Sequence, residues 1–257
     1  MENIDLVTML PGAVKVDDQN VNPTWKAHVL HNDSSISVSY VKLIDARKIF
    51  IECFCAVLGR SIGLPIPKPF LVNVPHESLS CSVPDGQSCI AFGSEDAAYP
   101  SFRRKFNQSQ PEAMRLLKAY SKILDVSVFD EWIGNGDRNI GNILYDGKSL
   151  FNFIDHELAL PKGLKKDNFA TKNQLMSSCF STVSELEKHR ASKKILNDIH
   201  PSMSGIDLKS ALDNCLASVY FNEASAEELK DIVSDRLSTL AHHSDLRMGI
   251  KQQGLAI

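Results

Sequence analysis

The chain has 257 residues, 43% of them hydrophobic and 23% charged, with a formal net charge of −3. This composition suits one substantial domain or two small lobes and excludes a wholly disordered chain. The slight negative charge supplies no electrostatic basis for binding nucleic acid or an acidic membrane surface, so neither is expected as a partner.

The opening "MENIDLVTMLPG" lacks the basic start and apolar run of a signal peptide. No apolar stretch approaches the roughly 18 residues of a membrane span. The six cysteines are scattered without a C-x-x-C pair and read as idle thiols of a reducing compartment. A cytoplasmic location is therefore expected.

The first hundred residues read as mainly β with one helix. Residues 10–23 are polar and loop-like, with room for a short strand. "TWKAHVL" (24–30) and "SISVSYVKLI" (35–44) are β-prone and flank the turn-forming "HNDS", which predicts a hairpin whose second strand ends near Lys42. A helix follows, with Asp45 as its N-cap and Ile49, Cys53, Ala56 and Val57 at helical spacing; Gly63 and Pro65 end it. "KPFLVNV" (68–74) and "SCIAFG" (88–93) are two further strands. Residues 93–111 connect to a single predicted helix over 112–133. Beyond Leu160 the chain reads as helical, and Ser225 with Glu228 forms a capping box at the start of the last helix. A β-rich half followed by a helical half predicts an α+β fold with two lobes and a cleft between them.

Between the halves lies "GNGDRNIGNILYDGKSLFNFIDHE" (134–157). Asp146-Gly147 signals a two-residue hairpin turn, which places Leu144 near Ser149 and Ile143 opposite Leu150. Extending that ladder gathers Asp137, Asn142 and Asp155 at one end of the hairpin. Two oxygen-bearing side chains there suit Mg²⁺, and a third carboxylate left off the metal could hold a hydroxyl. The spacing from Asp137 to Asn142 matches the D-x-x-x-x-N of a kinase catalytic loop, although a solvated, capped turn has the same pattern. Upstream, Glu52 falls on a helix face formed by Ile49, Cys55 and Ala56, with Lys48 the polar exception; it needs a partner if buried, and Lys42 at the strand end is the natural one. A strand lysine paired with a helix glutamate is how kinases hold a lysine against nucleotide phosphates, whereas either residue alone reads as surface.

The stretches "YVKLI", "IECFCAVLGRSIGLPIPKPFLV", "IAFGS", "FDEWIGNGDRNIGNIL" and "FIDHELAL" resemble the HipA-like kinase family, particularly its small stand-alone members. A similar D-R-x-x-x-N arrangement occurs in phosphatidylinositol kinases. The resemblance implies a bilobal protein-kinase-like fold, with an N-lobe over residues 1–95 and a C-lobe over 96–257. It implies ATP and Mg²⁺ as cofactors, a protein serine or threonine as acceptor, and leaves a toxin role with an antitoxin-like protein partner open. Under it Lys42 contacts the phosphates, Glu52 holds Lys42, Asp137 is the catalytic base, and Asn142 and Asp155 ligate the metal. Phe92, Gly93 and Ser94 would lie near the adenine as the hinge, with Leu144 in the adenine floor.

The chain also departs from eukaryotic-type protein kinases. No G-x-G-x-x-G precedes Lys42, Asn139 stands where a histidine is frequent, Asp155 lies in "IDHE" without Phe-Gly, and there is no A-P-E segment. Residues 10–23 are the candidate phosphate-covering loop. His156 and Glu157 read as groups that orient Asp155, and Asp130 as an anchor below the catalytic loop. The basic runs 102–105 and 188–194 read as solvated surface. A lipid or small-molecule kinase and an inactive kinase-like module are the alternatives.

Overall fold

A computed structural model of the chain describes residues 2–16, 22–168, 172–216 and 220–250. Six strands precede residue 96: β1 (Asp5–Met9), β2 (Val14–Lys15), β3 (Thr24–Leu30), β4 (Ile36–Lys42), β5 (Pro69–Pro75) and β6 (Ser88–Glu95). They form one sheet in the order β1-β5-β6-β4-β3-β2. β1 runs parallel to β5 through Asp5↔Phe70 and also pairs antiparallel with β3 through Met9↔Val29, so the sheet closes on itself. Alternation along the strands fills the enclosed space with Val7, Met9, Trp25, Val29, Val41, Phe70 and Val72.

The β3–β4 hairpin has the expected form, with Lys42 at its end opposite Thr24. Helix α1 (Ala46–Ser61) follows, and the Asp45 side chain accepts the Lys48 N–H as its N-cap. Gly63, at φ 72°, ends it in the left-handed region. α1 is buried around most of its surface and packs in the main core with Leu71, Phe92 and Phe129.

After residue 96 the chain is helical apart from one hairpin. α2 (Arg103–Gln108), α3 (Gln110–Ala119) and α4 (Ile123–Trp132) precede β7 (Ile143–Tyr145) and β8 (Phe151–Phe153). The expected single helix over 112–133 is thus two. The chain leaves the helix at Tyr120, whose ψ is 125°, and the Tyr120 ring packs 5.0 Å from that of Phe151. Tertiary packing of one aromatic overrides a helical pattern that is continuous in sequence.

The hairpin register also differs from the expected one. Asp146 Oδ1 accepts the N–H groups of Lys148, Ser149 and Leu150, which lengthens the turn. The pairs are therefore Tyr145↔Phe151, Leu144↔Asn152 and Ile143↔Phe153.

Among the described residues the remaining helices are α5 (Gln174–Phe180), α6 (Glu185–Lys194), a π-helical turn (Ile195–Ile199), α7 (His200–Ser204), α8 (Leu208–Asn214) and α9 (Glu223–Met248). The capping box belongs to α6, between Ser184 and Glu187; α9 starts earlier than expected, capped by Asn222. Among the described residues no helix is long and apolar enough to cross a membrane. In the expected phosphate-covering segment, β2 and its flanks are described, and residues 17–21 lie outside the described residues.

α9 is fastened by the buried Arg236. Its guanidinium donates to the carbonyls of Trp132 (2.7 Å), Glu131 (2.6 Å), Lys165 (2.8 Å) and Asn168 (2.6 Å), tying α4 and the 161–168 loop to α9. Replacing it leaves the buried carbonyls of Glu131 and Trp132 without their donor. Arg236→Ala should lower the unfolding free energy by about 3 kcal/mol in urea titration, and Arg236→Lys should recover less than half, since one ammonium cannot span the carbonyls. A loss below about 1 kcal/mol for the alanine variant would refute this role.

Candidate active site

The site begins at the end of β4. Lys42 Nζ lies 3.0 Å from Glu52 Oε1 and 2.6 Å from Asp155 Oδ1. Glu52 is 1% exposed, and the cation that its apolar helix face demands is Lys42. Its other oxygen accepts the His156 N–H at 2.8 Å, so both carboxylate oxygens are engaged. Burial alone would drive the Glu52 carboxyl upward, but Lys42 and the His156 contacts outweigh it and hold it below the usual carboxylate range. Burial likewise opposes the charge on Lys42, yet Glu52 and Asp155 raise its pKa above the ordinary lysine value. Both partners are charged at neutral pH.

Asp137 and Asn142 sit on a loop built over α4. Asp130 accepts from the Asn135 side chain at 3.0 Å, and Asn135 Oδ1 in turn accepts the Asp137 N–H at 3.1 Å. Gly134, at φ 64°, makes the turn, and a Cβ there would come 2.8 Å from Leu164. Arg138 is fully buried. It donates to both oxygens of Asp130 at 3.1 Å, to the Asn142 carbonyl at 3.4 Å and to the Ile154 carbonyl. Asn139 caps the following turn by accepting the Gly141 N–H at 2.7 Å.

Asn142 Nδ2 donates to the Asp137 carbonyl at 2.9 Å and faces its carboxylate at 3.5 Å. The Ile154 N–H donates to the Asn142 carbonyl at 3.1 Å, which lays the chain leading to Asp155 beside the catalytic loop. Asp155 itself has φ 68°, a left-handed backbone that Asp and Asn tolerate better than other side chains. The structure thus brings together Lys42, Glu52 and Asp155 by direct contact, and joins Asp137 and Asn142 to them through neighbouring backbone.

Residues 33–207 match the family model of the HipA-like kinases. The chain belongs to the HipA-like kinase family. Membership makes it a phosphotransferase and implies ATP and a divalent cation. No curated protein matches the chain by sequence. Among solved structures, the Helicobacter pylori proinflammatory kinase CtkA superposes with a TM-score of 0.56 at 12% identity, over 93% of this chain and 96% of that one. That likeness shows a kinase-like fold. The open conformation of CtTel1 is a weaker match, with a TM-score of 0.44 at 14% identity over 95% of this chain and 12% of that one.

The residues expected around the adenine of this HipA-like kinase lie in β6 and β7. Phe92, Gly93 and Ser94 are in β6 between β4 and β5, paired on both sides. Phe92 packs into the core, and a Cβ on Gly93 would meet Val72 at 2.5 Å. Leu144 is half-buried on β7 and bridges to Ser101.

Two features go further than the sequence reading, which gave Glu157 only an orienting role beside Asp155. Glu157 converges on the site, where ligand atoms of Glu52, Asp155 and Glu157 lie within 4.8 Å of one another. Its Oε1 accepts from Asn22 and from Lys48 Nζ, the latter at 3.3 Å. The acidic "DHE" tripeptide was the available signal. Burial, more than any neighbouring charge, raises the Glu157 pKa above the ordinary glutamate value. The second is the Asp130–Arg138 pair, for which only the anchoring role of Asp130 was expected. Removing Asp130 leaves a buried guanidinium without its counter-charge. Asp130→Ala should therefore cost about 3–5 kcal/mol of stability in urea unfolding, and a loss below about 1 kcal/mol would contradict the anchoring role.

Proposed function

We propose that the chain transfers the γ-phosphate of Mg²⁺-bound ATP to a hydroxyl, most simply a protein serine or threonine, across two lobes spanning residues 1–95 and 96–257. The observation that carries this reading is the Lys42 ammonium held between the helix carboxylate Glu52 and Asp155, beside a loop bearing Asp137 and Asn142. These are the charges that phosphoryl transfer requires, in an arrangement that positions more than it reacts.

Each residue has a distinct part. Lys42 binds the phosphates and Glu52 fixes its direction. The Asp155 carboxylate lies against Lys42; phosphate oxygens on Lys42 would take its place there and leave Asp155 to the metal. Asn142 spends its Nδ2 on Asp137, which leaves its carbonyl Oδ1 for the cation. The donor set is all oxygen, which fits Mg²⁺. When bound, the cation neutralises phosphate charge and orients the γ-group. Asp137 accepts or orients the proton of the acceptor hydroxyl. Phe92, Gly93 and Ser94 lie near the adenine as the hinge, with Leu144 in the adenine floor.

Incubation with γ-labelled ATP and cell lysate should label a protein band, and absence of transfer to any acceptor or to the chain itself would reject the reading in favour of an inactive module. Asp137→Ala should cut turnover by about 10² or more while ATP affinity, measured by calorimetry, stays within a few-fold. Near-normal turnover in that variant would remove Asp137 from its role. Asp155→Asn, chosen because asparagine tolerates the left-handed backbone, should cut transfer by at least about 10², and unchanged transfer would remove Asp155 from the metal site.

A further inference from the structure

Glu157 is 7% exposed, and its Oε2 has no hydrogen-bond partner among the described residues. The other oxygen is fixed by Asn22 and Lys48. The carboxylate is therefore anchored at one end, while its free oxygen lies 3.9 Å from Lys42 Nζ, beyond hydrogen-bond range. A buried carboxylate oxygen left unmet costs free energy unless a positive group reaches it.

The surrounding charges point the same way. Glu52, Asp155 and Glu157 face the ammonium groups of Lys42 and Lys48, three negative charges against two positive. Glu52 is not the group in want of a partner, because Lys42 and the His156 N–H already take its two oxygens. Glu157 has an oxygen to give, within 4.8 Å of an Asp155 oxygen. Donors of this kind, all hard oxygens, select Mg²⁺ or Mn²⁺ over softer metals.

We propose that Glu157 is a direct ligand of the divalent cation, sharing it with Asp155. This rests on the reading of Asp155 as a metal ligand given above. Asn22 and Lys48 position the carboxylate by holding Oε1, so that Oε2 faces the centre. The "IDHE" segment then supplies two ligands two residues apart, and the left-handed turn at Asp155 lets both reach one place.

Mn²⁺ alone is the probe, titrated into the full chain and followed by water-proton relaxation. Glu157→Gln keeps the side-chain volume and should weaken Mn²⁺ binding by at least about tenfold. Lys194→Met breaks an ion pair to Asp125 that involves no residue of the site, and should keep Mn²⁺ affinity within about threefold of the wild type. Wild-type affinity in Glu157→Gln overturns the proposal, as does an equal weakening in both variants, which would trace the effect to general destabilisation. If Glu157→Gln fails to fold, Glu157→Asp draws the oxygen back by one methylene and should also weaken binding; unchanged affinity there overturns the proposal. Asp155→Asn separates the two readings. Lost binding in Asp155→Asn with intact binding in Glu157→Gln rejects Glu157 alone, whereas no Mn²⁺ binding by the wild type rejects both.

Discussion

A guanidinium taken out of water must have its N–H donors met, and Arg138 meets them from three separate segments. Asp130 on α4 supplies the counter-charge, and the carbonyls of Asn142 and Ile154 take the rest. One of those carbonyls belongs to a proposed metal ligand, and the other to the residue before Asp155. Satisfying one buried side chain therefore fixes the main chain on both flanks of the site. Lys42 then enters from the sheet, and its contacts with Glu52 and Asp155 join β4, α1 and the end of the hairpin at one point. The site exists because two buried ionic requirements, those of Arg138 and Glu52, are met by neighbouring pieces of chain.

The parts of this arrangement that were legible in the sequence share a property. Each depended on local pattern or on an energetic need stated by one residue. The β3–β4 hairpin followed from alternation around a polar turn, and Asp45 from capping chemistry. The Lys42–Glu52 contact followed from a carboxylate on an apolar helix face, which had to have a cation. What was not legible depended on distant partners. Tyr120 leaves its helix for an aromatic cluster some way along the chain, and the parallel pairing of β1 with β5 has no periodic signature. The Asp146 side chain, by capping three successive N–H groups, reset a hairpin that the dipeptide Asp-Gly alone predicts to be tighter.

The departures from the eukaryotic-type pattern also acquire a physical sense. Asn22, just before β3, reaches across to Glu157, so the start of β3 is tied to the acidic end of the site. Lys48, one turn before Glu52 on α1, adds a second ammonium to the same face. The sheet and α1 thus contribute a glutamate and two lysines to the site, while the hairpin contributes acid only.

The closed sheet imposes an order of events on synthesis. β1 precedes β5 in the chain, and its parallel partner β5 emerges only after β3, β4 and α1 have been made. Parallel pairing at such sequence separation is slow, because the loop must close before its contacts repay the entropy. Until then β1 is an apolar strand with no completed sheet to join, a natural substrate for chaperones and a site for mispairing between copies. The β3–β4 hairpin can form at once and wait. The nascent chain is therefore most vulnerable between the appearance of β1 and that of β5, and a fusion or tag that occludes β1 would act on that interval before it ever touched the active site.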